Sequence, residues 1–346
     1  MAKQEGDLVR LSLDEVHAIA SKGLIRHGAS VEQARTVADT ITSAERDGCK
    51  SHGLFRLPGY IGSLKSGKIT GDAVPVLSEL APAVVKVDAA NGFASLPLEM
   101  GTAALAEKAR EQGIAALAIT NSYHFAALWP ETERLAEQGL VAFAFVTAKS
   151  YVAPAGGIKP LYGTNPMAFA WPREGKPPIV FDQASSASAR GEIMIHERDG
   201  KPIPDDWAID SEGNPTNDPT AALAGAQLPF GGYKGGSIAL MVELLAGAMI
   251  GDVFSFEATA NDVRDGGPPK RGEFMIAIDP TRCVSGGNGV AQLAHAETLF
   301  DEILSQEGTR LPSDRRYAAR EKTPKEGITV PRSLYDECEM LSSAGV

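Results

Sequence analysis

Apolar and polar positions alternate with a helical period at the start of the chain. Ser12-Leu13-Asp14-Glu15 reads as a capping box, which predicts a helix to about Lys22. Ser30-Val31-Glu32-Gln33 reads the same way, with Val37, Ile41 and Ala44 on one face of a second helix that stops before Gly48. Further on, short β-prone runs appear. Ala83 to Val87 and Ile114 to Thr120 predict strands around a helix from Leu98 to Gln112. A helix from Glu131 to Gln138 precedes apolar runs at Val141 to Thr147 and Ile179 to Asp182. Residues Asp205 to Pro219 turn polar and predict a long loop. A helix from Gly236 to Ile250, a loop around Gly266 to Pro269 and a strand from Phe274 to Ile278 follow. Helices from Gln292 to Gln306 and from Arg332 to Leu341 close the chain. Interleaved strands and helices make the fold class α/β. No repeat or low-complexity linker divides the chain, so a second lobe would be discontinuous.

Composition narrows the functional classes. The 346 residues can bury a large core and leave room for a cleft between two lobes. Hydrophobic residues at 43% and charged residues at 22% are ordinary for a globular protein, and the 36 glycines imply many turns. A net charge of -11 argues against a nucleic-acid partner, though a few converging cations could still hold an anionic cofactor. Cys49, Cys283 and Cys338 are too scattered for a disulfide framework or a zinc site, as expected of reduced thiols in a cytoplasmic protein. Met1 to Asp7 has no apolar core, so no signal peptide is expected. The apolar run Ser237 to Val253 is broken by Glu243, Gly247, Gly251 and Asp252 and is no membrane span.

No Gly-x-Gly-x-x-Gly follows a predicted strand, so a nicotinamide dinucleotide would need a fold other than the Rossmann type. Of six histidines, His52 and His124 lie in loop-like sequence among polar neighbours, where functional residues concentrate. A loop histidine is more often structural, so each needs company. His52 has it: Ser51 can fix the tautomer of an imidazole, and histidine titrates near neutrality. Arg56, four residues on, offers a guanidinium fork for a carboxylate, although taken alone a surface ion pair explains it better. An acid/base beside a carboxylate clamp suits reduction of an α-keto or α-imino acid. Asn121 to Leu128 follows a strand and opens a helix, a junction that serves a phosphate or an ordinary turn. Phe230-Gly231-Gly232-Tyr233-Lys234-Gly235-Gly236 is a plausible anion cradle without the pattern of a P-loop. Arg310, Arg315 and Arg316 form a cation cluster that fits phosphates or a solvated face. The acidic run Asp205, Asp206, Asp210 and Glu212 matches no calcium loop, and no metal site is expected. Without a Gly-x-Ser-x-Gly elbow, a serine hydrolase is disfavoured.

Ser51-His52-Gly53, Ser122 to Leu128, Gly163-Thr164-Asn165-Pro166 with Ala168-Phe169, and Pro229 to Gly235 together resemble the malate/L-lactate dehydrogenase family. The resemblance runs over nearly the whole chain. His124 to Pro130 and Ser51 to Tyr60 look most similar to its Δ1-piperideine-2-carboxylate/Δ1-pyrroline-2-carboxylate (ketimine) reductase branch. It implies a mixed-sheet, non-Rossmann NAD(P)-binding fold with helical N- and C-terminal segments. We expect a helical substrate and dimerisation lobe (residues 1–75 plus 300–346) and a cofactor lobe (76–299). Ser51 and His52 then match the catalytic pair, with Glu192 as the acidic partner where close relatives carry Asp. Arg56 matches the substrate-carboxylate residue, bordered by Thr164, Arg190 and Gly191. His124, Phe125, Ala126, Ala127, Leu128, Asp182, Gln183, Ala184, Tyr233, Lys234, Arg310, Arg315 and Arg316 match cofactor-contacting positions. Tyr123 stands where relatives often have Asn or His. NADPH is the implied cofactor, with NADH open, and a homodimer is implied. The alternatives are a 2-hydroxyacid dehydrogenase, or a catalytically dead binding protein on the same fold.

Overall fold

The expected first helix begins at its capping box: Ser12 Oγ accepts from Glu15 N–H, and the Glu15 carboxylate accepts from Ser12 N–H. The computed structural model describes residues 7–124, 126–285 and 289–343. In chain order the elements are β1 (Leu8–Leu11), α1 (Leu13–Arg26), α2 (Val31–Arg46), α3 (Leu57–Lys65), β2 (Val76–Ala81), β3 (Val84–Asp88), α4 (Ser95–Gln112) and β4 (Ile114–Tyr123). Next come α5 (Trp129–Ala136), β5 (Val141–Val146), β6 (Met167–Trp171), β7 (Ile179–Gln183), α6 (Arg190–Asp199), β8 (Ala208–Ile209), α7 (Pro219–Ala224) and β9 (Ala226–Gln227). The rest are α8 (Tyr233–Glu243), α9 (Ser255–Ala260), β10 (Lys270–Ile278), α10 (Gly289–Leu304), α11 (Asp314–Glu326), β11 (Ile328–Pro331) and α12 (Arg332–Ser342).

Seven strands form one mixed sheet in the order β2-β3-β4-β10-β5-β6-β7, parallel only between β3 and β4. On one face Leu98 and Leu105 of α4 and Leu135 of α5 pack on Val87, Leu117 and Met275. On the other, Val242 and Ala246 pack on Phe145 and Phe274. Burial of each such Leu, Val or Phe contributes about 1.5–3 kcal/mol. A separate apolar cluster joins α1, α2 and α3 to β11 and α12 through Leu24, Ile41, Leu57, Val330 and Cys338, with Phe93 and Tyr123 reaching in. β1 pairs antiparallel with β11, which ties the two ends of the chain together.

Several boundaries depart from the sequence pattern for physical reasons. Ser30 Oγ caps Gln33 N–H, but Ser30 N–H donates to Gly71 O and Gln33 Nε2 to Ala73 O, so only half of the second capping box forms. The expected helix 236–250 starts at Tyr233 and changes at Leu244–Ala248 into a π-helical turn, a form frequent at functional sites. The polar stretch 205–219 contains the short strand β8. Helix α11 has no fully buried side chain and so no apolar stripe to read. Polar anchors hold it: Arg320 pairs with Asp47 and Glu133, and the Tyr317 hydroxyl lies 2.8 Å from Glu133 Oε1.

Candidate active site

After α2 the chain makes two 3-10 turns, Lys50–His52 and Leu54–Arg56, before α3. Glu45 makes this tight path possible, because its buried carboxylate accepts from Leu54 N–H at 2.9 Å. A Cβ on residue 53 would lie 2.0 Å from Glu45 Oε1, so only glycine fits. The turns bring Ser51 Oγ to 2.9 Å and Cys49 Sγ to 3.4 Å from His52 Nδ1. A Ser51 hydroxyl donating to Nδ1 fixes the tautomer with hydrogen on Nε2. Burial pushes His52 down to about 3, and the neighbouring Arg56, His124 and Arg271 add to that electrostatically. His52 is therefore neutral at pH 7.

Arg56 lies partly buried, its guanidinium 5.3 Å from the Phe55 ring centroid. Tyr60 and Tyr151 are among its electrostatic neighbours. The same Tyr151 ring carries Arg190 stacked 4.1 Å from its centroid, and Arg190 Nη2 donates to Leu223 O. Tyr151 thus carries the Arg190 guanidinium and acts electrostatically on Arg56, and Arg190 and Gly191 open α6.

Segments distant in sequence meet at the end of the sheet. Thr164 O accepts from Ser185 N–H at 2.8 Å, and Phe230 N–H donates to Ser185 O at 3.1 Å. Asn165 Nδ2 donates to Glu243 Oε1 at 2.8 Å, which anchors the residue beside Thr164. Gln183 and Ala184, with residues 186–189 and Phe230, line a cavity of about 380 Å³. The Phe230 turn can sit this close because residue 235 is glycine: a Cβ there would be 2.4 Å from Phe230 O. Tyr233 and Lys234 stand exposed on the first turn of α8, and Lys234 makes no ion pair among the described residues. The exposed Lys234 and the adjoining cavity suit the anionic and planar parts of a dinucleotide.

Other expected cofactor positions are differently engaged. Asp182 Oδ2 accepts from Leu128 N–H at 2.7 Å and Trp129 N–H at 3.3 Å. Helix α5 starts there and needs an acceptor, so the Asp182 carboxylate caps it rather than standing open to a ligand. Burial raises it to about 6 in spite of those bonds. His124 was expected in an open loop but is 1% exposed, with Nε2 at 3.5 Å from Glu131 Oε1. Ala126 and Ala127 stay partly exposed, and Phe125 lies outside the described residues. Arg316 donates to Val180 O at 2.8 Å and lies over the Trp129 ring at 4.8 Å, so it anchors α11 to β7. Arg310 and Arg315 are exposed and make no ion pair among the described residues.

Glu192 makes no hydrogen bond with His52. Its half-exposed carboxylate lies 3.8 Å from His196 one helical turn along α6. Sequence reasoning missed Cys49, Tyr151, Glu131, Arg271 and Glu273. Tyr151 closes the polar run that follows β5, and Arg271 and Glu273 are charged residues at the start of an apolar strand, a pattern that could have singled them out. No cluster of His, Cys, Asp or Glu suited to a metal occurs among the described residues. Nor does any helix there have the length and apolarity to cross a membrane.

The fold and this histidine–arginine site define an oxidoreductase. The chain belongs to the malate/L-lactate dehydrogenase family, whose model matches residues 11–339, and membership implies a nicotinamide cofactor. It is 52% identical to the Δ1-pyrroline-2-carboxylate/Δ1-piperideine-2-carboxylate reductase of Pseudomonas aeruginosa, over 95% of this chain and 98% of that one. It is 51% identical to Δ1-pyrroline-2-carboxylate reductase 2 of Burkholderia multivorans, over 97% and 98% of the two chains. The crystal structure of Δ1-piperideine-2-carboxylate reductase from Pseudomonas syringae superposes with a TM-score of 0.89 at 42% identity, covering 96% of this chain and 99% of that one.

Proposed function

We propose that this protein is an NADPH-dependent reductase of cyclic α-imino acids, converting Δ1-piperideine-2-carboxylate to L-pipecolate and Δ1-pyrroline-2-carboxylate to L-proline. The observation that carries it is His52, oriented by Ser51 at 2.9 Å, with Arg56 among the charges acting on it, in a chain about half identical to reductases of that name. A bound reduced nicotinamide supplies the hydride that adds to C2 of the imine. Arg56 holds the substrate carboxylate in its guanidinium fork, with Thr164, Arg190 and Gly191 bordering the pocket. His52 handles the proton at the ring nitrogen from Nε2, while Ser51 occupies Nδ1. In the ligand-free chain Arg56 helps to keep His52 neutral. A substrate carboxylate beside Arg56 offsets that charge and favours protonation of His52 as substrate binds.

Glu192 enters this reading as the carboxylate that steadies the His52 imidazolium. It lies two residues from Arg190, which stacks on Tyr151, and its 3.8 Å contact with His196 is loose enough to exchange. The dinucleotide lies along Ala126, Ala127, Gln183, Ala184, Tyr233 and Lys234, with Asp182 and Arg316 holding the scaffold. Exposed Arg310 and Arg315 favour the extra phosphate of NADPH over NADH. Exposed Leu240, Met241, Leu244 and Met249 support a homodimer formed on that face. The reading includes a cytoplasmic location and two lobes, residues 1–75 plus 300–346 and residues 76–299.

A panel of NADPH and NADH against the five- and six-membered cyclic imines, pyruvate and oxaloacetate tests the proposal. Preference for the imines with NADPH is expected. The Arg190 guanidinium on Tyr151, a second cation beside Arg56, is the feature that favours a dicarboxylate, so activity confined to oxaloacetate or pyruvate would replace this reading with a 2-hydroxyacid dehydrogenase.

A further inference from the structure

Behind His52 lies a buried knot of charged groups to which the chemistry above gives no part. Arg271 and Glu273 come from β10, Glu131 from α5 and His124 from the end of β4; they are 5%, 1%, 5% and 1% exposed. A β-bulge builds the knot. β10 pairs Arg271 with Ser122 and then Glu273 with Ile119, and the residue beside the skip, Asn121, has φ +56°. The side chain that follows, His124, arrives against Glu131 at 3.5 Å.

Six buried polar atoms here make no hydrogen bond: Arg271 Nε and Nη2, both Glu273 carboxylate oxygens, Glu131 Oε2 and His124 Nε2. Native interiors pair such atoms directly or through bridging water, so a concentration of them marks a polar site rather than a packing core. The charges do not balance either. Around Glu273 stand Glu131 and Asp182 as acids and Arg271 as the single cation. Arg316, on α11, faces Asp182 from the far side. Burial first, and then the charge of Glu131, hold the Glu273 carboxyl well above the ordinary 4.5. His124 is kept neutral by its burial. The knot adjoins His52, since His124 and Arg271 both act electrostatically on it.

We propose that the buried Glu273 carboxyl, beside Arg271 and Glu131, holds a proton, and that this proton passes through His124 to His52 as substrate binds. The proposal rests on the imine-reductase reading and deepens it. When the hydride and its electron pair reach C2, the C=N π pair moves to nitrogen and takes the proton from His52; the nicotinamide is left oxidised and the imine reduced to an amine. That proton reached His52 through His124 from Glu273 as substrate bound, a solvent proton having refilled Glu273, and His52 is left neutral as in the ligand-free chain. Glu131 and Glu273 act through the histidines and are positioning residues.

Infrared difference spectra of the full-length protein between pH 6 and pH 10 provide the first test. A protonated-carboxyl band that titrates in the alkaline range is expected in the wild type and is lost in Glu273→Gln. The absence of that band in the wild type overturns the proposal, whatever the variant's folding. The second test is the pH profile of cyclic-imine reduction. In Glu273→Gln the alkaline limb of kcat moves to lower pH, with kcat at pH 8 down about tenfold relative to pH 6 and KM little changed, a size typical of impaired proton transfer. An equal loss at every pH marks a merely structural role and also overturns it. Failure of the wild type to reduce cyclic imines removes the functional reading instead, and the infrared band then still decides whether Glu273 holds a proton.

Discussion

Ser51 Oγ and His52 Nδ1 stand 2.9 Å apart although the two residues are adjacent in sequence. Such neighbours meet only because the chain turns tightly over Lys50–His52, and the contact leaves Nε2 as the nitrogen that can exchange a proton with a ligand.

Replacing His52 with alanine is expected to lower kcat by ~10²–10⁴ while NADPH binding stays near normal, because the general acid is lost and the cofactor surface is not. Ser51→Ala should lose less, since the imidazole remains but its tautomer is freed. Nicotinamide fluorescence titration beside steady-state kinetics checks both. Lost cofactor binding with unchanged turnover at saturation would remove His52 from the chemistry.

Arg56→Lys keeps the charge but not the planar fork. The substrate KM should rise by roughly 10- to 100-fold, matching about 1.5–3 kcal/mol for a charge-assisted hydrogen bond. Substrate binding to the wild type should also take up a proton as the carboxylate offsets Arg56. Isothermal titration in buffers of different ionisation heat measures that uptake, and equal heats in all buffers would refute it.

Stability should depend on pH with two opposing signs. His52 is held at about 3 when folded against 6.5 in the unfolded chain, so its contribution is full above pH 6.5 and is lost as pH falls from there toward 3. In the neutral variant His52→Asn, the drop in urea stability from pH 7 to pH 5 should shrink by up to about 2 kcal/mol. Glu273 is raised above 4.5, so its contribution is present below pH 4.5 and is lost as pH rises through the higher folded value. Glu273→Gln should therefore be more stable at pH 8 relative to pH 5 than the wild type is. A wild-type slope that survives both substitutions would show that other groups control it.

A methyl group at residue 235 would press on Phe230 O at 2.4 Å and Ser185 O at 2.8 Å, both rigid backbone atoms. Gly235→Ala should lose about 1–3 kcal/mol of stability and weaken dinucleotide binding as the Phe230 turn shifts. Thermal melts with and without NADPH report the two effects separately.

Leu244 is 49% exposed on the same face as Leu240 and Met249. A charge placed there by Leu244→Glu should shift a dimer toward monomer in sedimentation velocity. A wild type that sediments as a monomer would show that this face has no partner copy.

The local elements were readable from sequence wherever apolar spacing carried them. The Ser12–Glu15 box, helix α4 and strands β4 and β5 all follow from period and capping, because those signals are set by residues within a few positions of one another. Helix α11 was not readable, since Arg320 and Tyr317 hold it through ion pairs and hydrogen bonds to residues far away in the chain. The chemistry divides the same way. Ser51, His52, Arg56 and Lys234 were legible as residue types in local company. Tertiary structure alone turned Asp182 into the cap of α5, drew His124 inside against Glu131, stacked Arg190 on Tyr151, and set Arg271, with Glu273 beside it, near His52. Those outcomes depend on burial and on charges brought together across the sheet, and neither quantity exists until distant segments pack.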